Sequence, residues 1–184
     1  MQRIKSISAA HAQGKAKELL EGAKKAMGKE INIFAAMANA PAALEGLLGL
    51  VGALGKGKLT PALREQLALA TAGENACDYC ASAHTYLAAH AGIAKEESAA
   101  NLQGKSSDKK TQAALNFTNQ LIERRGAVSE ADLQAVRAAG FSDEEVIEIV
   151  AHVALNTFTN YFNEVFKTDI DFPVVNAQKA RQAA

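Results

Sequence analysis

The chain has 184 residues, a length that predicts one domain over 1–184, able to bury a core without covalent staples. Twenty basic and twenty acidic side chains cancel, and no long run of one sign appears, which argues against nucleic acid, whose binding needs a basic footprint. Alanine supplies about a fifth of the residues and aromatics only 5%, a composition that favours helices over strands and predicts an all-α fold.

In chain order, residues 13–27 form a helix stopped by Gly28, and 30–38 a short apolar segment. Pro41 opens the next helix with its fixed φ, which runs to about 54; 55–58 is a loop. Thr60-Pro61 is a cap followed by a first-turn proline, and the helix it starts ends at Gly73. Asn75 caps a helix that carries Cys77, Cys80 and His84 and ends at Gly92. A short helix covers 95–102, a longer one 108–125 stopped by Gly126, and a short one runs from Ser129 to Gly140. Ser142 and Glu145 form a capping box that starts a long apolar helix over 143–166. Pro173 breaks the chain, so the core spans about 59–173 and a polar, frayed tail covers 174–184.

The most apolar stretch, 42–54, is too short to span a membrane and is interrupted by Glu45. The first 17 residues are basic but lack the apolar region of a secretory signal. The expectation is a cytoplasmic protein with no membrane partner. In a reducing compartment, two cysteines three apart are catalytic or metal-binding more often than structural.

The chemistry concentrates at Glu74-Asn-Ala-Cys77-Asp-Tyr-Cys80-Ala-Ser-Ala-His84. On a helix, positions 77, 80 and 84 fall within an arc of roughly 60°, and Cys77 and Cys80, one turn apart, lie within disulfide reach. Both sit where the positive end of the helix dipole favours an anion, and His84 can take or relay a proton. A free thiol is only a few per cent thiolate at pH 7, so lowering its pKa by about two units gives more than a tenfold gain. The dipole favours Cys77 as the reactive thiol; the neighbouring His84 favours Cys80. A zinc site would need more ligands, and His11, His90 and His152 stand at no familiar spacing, so neither metal nor cofactor is expected. Thioredoxin-type dithiols sit beside a βαβ pattern; this one is on helices. Glu65, flanked by Ala62, Ala68, Leu69 and Ala72, is half-buried and suits a general base, or else is a solvated glutamate paired with Arg64 or Lys58.

Arg64-Glu65 followed by Cys77-x-x-Cys80-x-x-x-His84 resembles the AhpD-like alkylhydroperoxidases of the carboxymuconolactone decarboxylase superfamily. The stretch 139–163 and Asp171-Phe172-Pro173 resemble its peroxidase-related branch. The resemblance, over about 59–173, implies an AhpD-like helical bundle assembled into trimers or hexamers, with helices of neighbouring subunits completing the core. It implies an enzyme that reduces organic hydroperoxides and is recycled by a dithiol reductant or redox partner protein. Cys80 would be the peroxidatic thiol. Cys77 would protonate the leaving oxygen and then form the Cys77–Cys80 disulfide, while Glu65 and His84 would deprotonate Cys80. Better-studied members carry a histidine where this chain has Tyr79, which cannot shuttle a proton near pH 7. Two alternatives remain: a disulfide reductase or redox relay, and a non-redox lyase or binding protein of the same superfamily.

On the last long helix, His152, Asn156, Thr159, Asn160 and Asn163 share one side. They mark either contacts with helices or subunits, or, for His152 and Asn156, the approach to the dithiol. Phe158, Phe162 and Phe166 fill a core or an interface.

Overall fold

The computed structural model describes residues 1–177. Its helices are α1 (Gly14–Met27), α2 (Asn32–Met37), α3 (Pro41–Leu54), α4 (Pro61–Glu74), α5 (Asp78–His90), α6 (Lys95–Asn101), α7 (Lys109–Glu123), α8 (Glu130–Ala138) and α9 (Asp143–Phe166). Every regular element among the described residues is helical, as the composition predicts. None is long and apolar enough to cross a membrane.

α4 is the centre of the bundle. Gln66 through Gly73 are all buried, because α5, α7 and α9 pack around it. Its side chains divide two apolar clusters. Leu69 and Ala72 face one, with Leu20, Met37, Leu44, Cys77, Cys80 and Leu155. Leu67 and Ala70 face the other, with Leu115, Phe117, Val136, Phe141 and Ile149. The core therefore reaches well upstream of residue 59: Ala16, Leu20, Ile33 and Leu44 are buried in the same cluster as Leu69 and Ala72.

Caps set the helix starts. Thr60 Oγ1 accepts from Leu63 N at 3.2 Å, and Ser142 and Glu145 form the reciprocal box at the head of α9. With 24 residues, α9 is roughly 36 Å long. Its Glu148 carboxylate accepts from Lys58 N and Leu59 N at 2.9 and 3.1 Å, tying the loop between α3 and α4 to it.

Two expectations are corrected here. α4 does not stop at Gly73 but continues to Glu74. The glycine marks a close approach instead: a Cβ there would lie 1.8 Å from the Leu102 carbonyl oxygen at the end of α6. The tail is not wholly frayed either. Val175 N donates to Ser82 Oγ and Ala177 N to Asp78 Oδ1, both at 2.8 Å, so 174–177 docks on α5. The remainder of that tail, 178–184, lies outside the described residues.

Candidate active site

The turn from α4 to α5 builds the site. Ala76 is left-handed, with φ 53°. Cys77 N donates to Ala72 O and Ala76 N to Gly73 O, at 3.0 and 3.3 Å. This is a Schellman closure with alanine where glycine is usual, strained by about 1–2 kcal/mol for its left-handed residue. It makes Asn75 the cap that ends α4 and delivers Cys77 as the residue that caps α5.

Cys77 is therefore not on the helix face shared by Cys80 and His84, contrary to the arc expected from a continuous helix. Its backbone is extended, and its Sγ accepts from Cys80 N at 3.3 Å. Both thiols are free. Cys77 is fully buried, whereas Cys80, 2% exposed, forms part of the wall of a cavity of about 300 Å³. Cys77 lies behind it, off that wall.

The side chains around Cys80 favour its thiolate. Burial would push its pKa up, but the Cys77 thiol, the charge of His84 and the amides of Asn163 and Asn160 bring it down to about 7. Asn163 Nδ2 donates to Cys80 Sγ at 3.3 Å. The Asn160 Oδ1 accepts from Asn75 Nδ2 at 2.9 Å, which turns its amide nitrogen away from Asn75. Cys77 is held protonated by its hydrogen bond to Cys80 and by burial. The geometry thus separates the two thiols that the dipole and the histidine left undecided.

Glu65 and His84 meet across α4 and α5. His84 Nδ1 donates to Glu65 Oε2 at 2.8 Å, and their side chains are 21% and 22% exposed. Burial opposes charge on the imidazole, but the Glu65 carboxylate and the Cys80 thiolate outweigh it and raise the His84 pKa. Neither Arg64 nor Lys58 is the partner of Glu65: Arg64 Nη1 donates instead to the carbonyls of Leu54 and Gly55 at 3.3 and 2.8 Å.

Apolar groups from six helices and the C-terminal segment line the cavity, among them Phe34, Leu47, Leu87, Leu155 and Phe172. His152, Asn156 and Asn163 of α9 line it too. Asn160 is buried against Asn75, and Thr159 bonds back to Asn156 O at 2.9 Å. Tyr79 also reaches the wall. Its hydroxyl donates to Asp171 Oδ1 at 2.7 Å and accepts from Ile33 N at 3.3 Å. Burial and the Asp171 contact push its pKa up, so the residue braces α2, α5 and the C-terminal segment. Phe158 is 43% exposed, while Phe162 packs on the core and touches Phe166 at 4.8 Å between ring centres. Among the described residues no cluster of three His, Cys, Asp or Glu side chains could hold a metal ion.

Asn163, Asn75 and Phe172 enter the sequence reading as part of a polar stripe, a helix cap and a family resemblance, and none is assigned there to the site. The polar stripe on an otherwise apolar α9 was the available signal for Asn163.

No curated protein matches the chain in sequence. Solved structures do match its fold. A peroxidase-related protein with an alkylhydroperoxidase AhpD core, from Ralstonia eutropha JMP134, is 22% identical over 98% of this chain and 94% of its own, with a TM-score of 0.82. A peroxidase-related protein from Silicibacter sp. TM1040 is 19% identical, over 92% and 94%, with a TM-score of 0.78. A cysteine-to-alanine variant of the debrominase Bmp8, in complex with 2,3,4-tribromopyrrole, is 18% identical over 98% and 94%, with a TM-score of 0.77. The carboxymuconolactone decarboxylase family model matches residues 38–123, the segment that holds α4, Glu65 and the Cys77–Cys80–His84 motif. Over residues 38–123 the chain is similar to the carboxymuconolactone decarboxylase family, and its fold is the AhpD-like all-α fold.

Proposed function

We propose that the protein is a thiol peroxidase that reduces organic hydroperoxides through a Cys77/Cys80 dithiol cycle. The observation that carries this reading is the asymmetry of the two thiols. Cys80 faces the cavity with its ionisation favoured, and Cys77 waits behind it with its proton held.

The Cys80 thiolate attacks the terminal oxygen of the hydroperoxide. The O–O bond breaks, the sulfur becomes a sulfenic acid and the organic fragment leaves as an alcohol. The Cys77 thiol then attacks the Cys80 sulfur. The S–S bond forms, the S–O bond breaks, and hydroxide leaves with the Cys77 proton as water. A dithiol donor returns two electrons and two protons to reopen the cycle. Glu65 and His84 hold the proton that Cys80 gives up. The apolar walls suit an organic rather than an inorganic peroxide.

The test is mass spectrometry of the reduced protein after one equivalent of an organic hydroperoxide. The expected product is a Cys77–Cys80 disulfide with the matching alcohol. A stable, unresolved sulfenic acid at Cys80 as the main product, or no reaction, overturns the reading.

The likeness to a debrominase with a bound tribromopyrrole favours one second reading. The same dithiol could give two electrons to a haloarene, replacing carbon–bromine by carbon–hydrogen, releasing bromide and a proton, and ending as the same disulfide. Aromatic side chains on the wall, Phe34, Tyr79 and Phe172, would suit such a ring. A bromopyrrole that forms the disulfide faster than any hydroperoxide would select it.

The assembly belongs to the same proposal. α9 exposes Ile147 (69%), Val150 (43%), Tyr161 (60%) and Val165 (57%), with Phe158 between. Exposed apolar groups at helical spacing mark an association face. Light scattering is expected to return a trimer or hexamer, and a mass of 19.4 kDa at micromolar concentration rules that out.

A further inference from the structure

One polar atom beside the cavity has no part in the cycle described above. His152 is 5% exposed and is among the residues that line the wall with Cys80, and its Nε2 is buried without a hydrogen-bond partner. A buried ring nitrogen left unmet is costly, and an orphan of this kind at the edge of a cavity marks a place for a ligand atom. Burial first, and then the charge of Arg64, hold its pKa below the ordinary value, against the opposite pull of Glu148 and Glu65. The ring is neutral and carries one N–H.

A second observation bears on the same step. Breaking the O–O bond leaves an alkoxide in the cavity, and that oxygen needs a proton. Cys77 is fully buried and off the cavity wall, so a molecule in the cavity has no open path to its proton. His84 and His152 are both on the wall.

We propose that His152 Nε2–H hydrogen-bonds the departing oxygen of the hydroperoxide, while His84 supplies the proton that this oxygen takes. The inference rests on the peroxidase reading of the site. The Cys80 proton moves to His84, the Cys80 sulfur bonds the terminal oxygen, and the O–O bond breaks towards the oxygen held by His152. That oxygen then takes the proton from His84. The sum is Cys80 thiol plus hydroperoxide giving Cys80 sulfenic acid plus alcohol, with no other reactant. Cys77 keeps its proton for the later attack on the sulfenic acid. The organic group attached to the departing oxygen lies among the apolar groups beside His152, of which Leu155 is one. The donor gains most as negative charge gathers on that oxygen, as expected of a group that stabilises a transition state.

The experiment measures single-turnover oxidation of Cys80 by two oxidants, an alkyl hydroperoxide and a peracid, in the full chain and two variants. The peracid releases a carboxylate, which needs neither a proton nor a donor. His152→Phe removes the N–H, and His152→Gln keeps an N–H of similar reach. With the alkyl hydroperoxide, His152→Phe is expected to lose on the order of 10²-fold, and His152→Gln to recover most of it. With the peracid, both variants should stay near the wild-type rate, and the Cys80 thiolate absorbance should titrate unchanged. An equal loss with both oxidants, or none, overturns the role of His152 and leaves the peroxidase reading standing. A wild-type protein that reacts with neither oxidant overturns both. If His152→Phe does not fold, His152→Gln against His152→Leu decides by the same ratio.

Discussion

Cys80→Ser is expected to abolish hydroperoxide reduction, whereas Cys77→Ser is expected to complete one oxidation and stop at a sulfenic acid. The two thiols differ in what surrounds them. Cys80 meets the cavity and is favoured as a thiolate by Cys77, His84 and two amides. A serine hydroxyl in its place stays protonated and has no sulfur to oxidise, so turnover should fall on the order of 10³–10⁶-fold. Cys77 lies off the wall, so its replacement still allows the first step, slowed to the extent that a serine hydroxyl supports the Cys80 thiolate less well than the thiol does, but removes the resolving thiol. Without it the sulfenic acid persists and further peroxide drives it to sulfinic acid. The measurement is consumption of hydroperoxide in the first seconds, followed by chemical trapping of sulfenic acid and intact mass. Wild-type turnover by Cys80→Ser, or absence of trappable sulfenic acid in Cys77→Ser, contradicts this assignment.

Much of the scaffold was readable because its signals are local. Pro41, Thr60-Pro61 and the Ser142/Glu145 box act within one turn of chain, and the helices start where they say. Gly73 misled because a glycine has two uses. It can end a helix by turning left-handed, or it can admit a neighbour's backbone, and only the position of Leu102, far along the chain, decides between them. The shift of Cys77 from helix residue to cap has a related cause. The break is made at Ala76, an alanine doing what a glycine usually does, so no sequence signal marks it.

The site divides along the same line. The Glu65–His84 contact could be anticipated from the family resemblance, and the two meet at 2.8 Å. The amide on Cys80 could not. Asn163 lies 83 positions away and reaches the sulfur only because α9 packs against α4 and α5. Its effect is to stabilise an anion on Cys80. Tyr79, between the two cysteines in sequence, holds Asp171 and the C-terminal segment. Charge on Cys80 therefore depends on the Cys77 thiol, one imidazole and neutral amides, and the imidazole depends on Glu65.

That dependence sets the largest pH effect expected of the site. Glu65→Gln keeps the size of the side chain and an oxygen that accepts from His84 Nδ1, but removes the negative charge. The carboxylate is what outweighs burial and raises the His84 pKa, so in the variant the imidazole loses its proton at a lower pH than in the wild type. Cys80 then loses the nearby positive charge that helps bring its pKa to about 7, and its pKa rises. Between the two pKa values the wild type is thiolate and the variant is thiol. Near neutral pH, alkylation and peroxide reduction should both fall, by about 10²–10⁴-fold if the general-base role is fully lost. As pH rises, His84 is neutral in both proteins and Cys80 ionises without help, so the deficit should narrow and the variant's profile should lie to the alkaline side. Thermal stability should change little, because a neutral amide at a half-buried position carries no charge to desolvate. The decisive measurement is the rate of thiol alkylation against pH for both proteins, with melting temperatures as the control. Superimposed profiles would make Glu65 a packing residue and leave the ionisation of Cys80 to His84, Cys77 and the α9 amides alone.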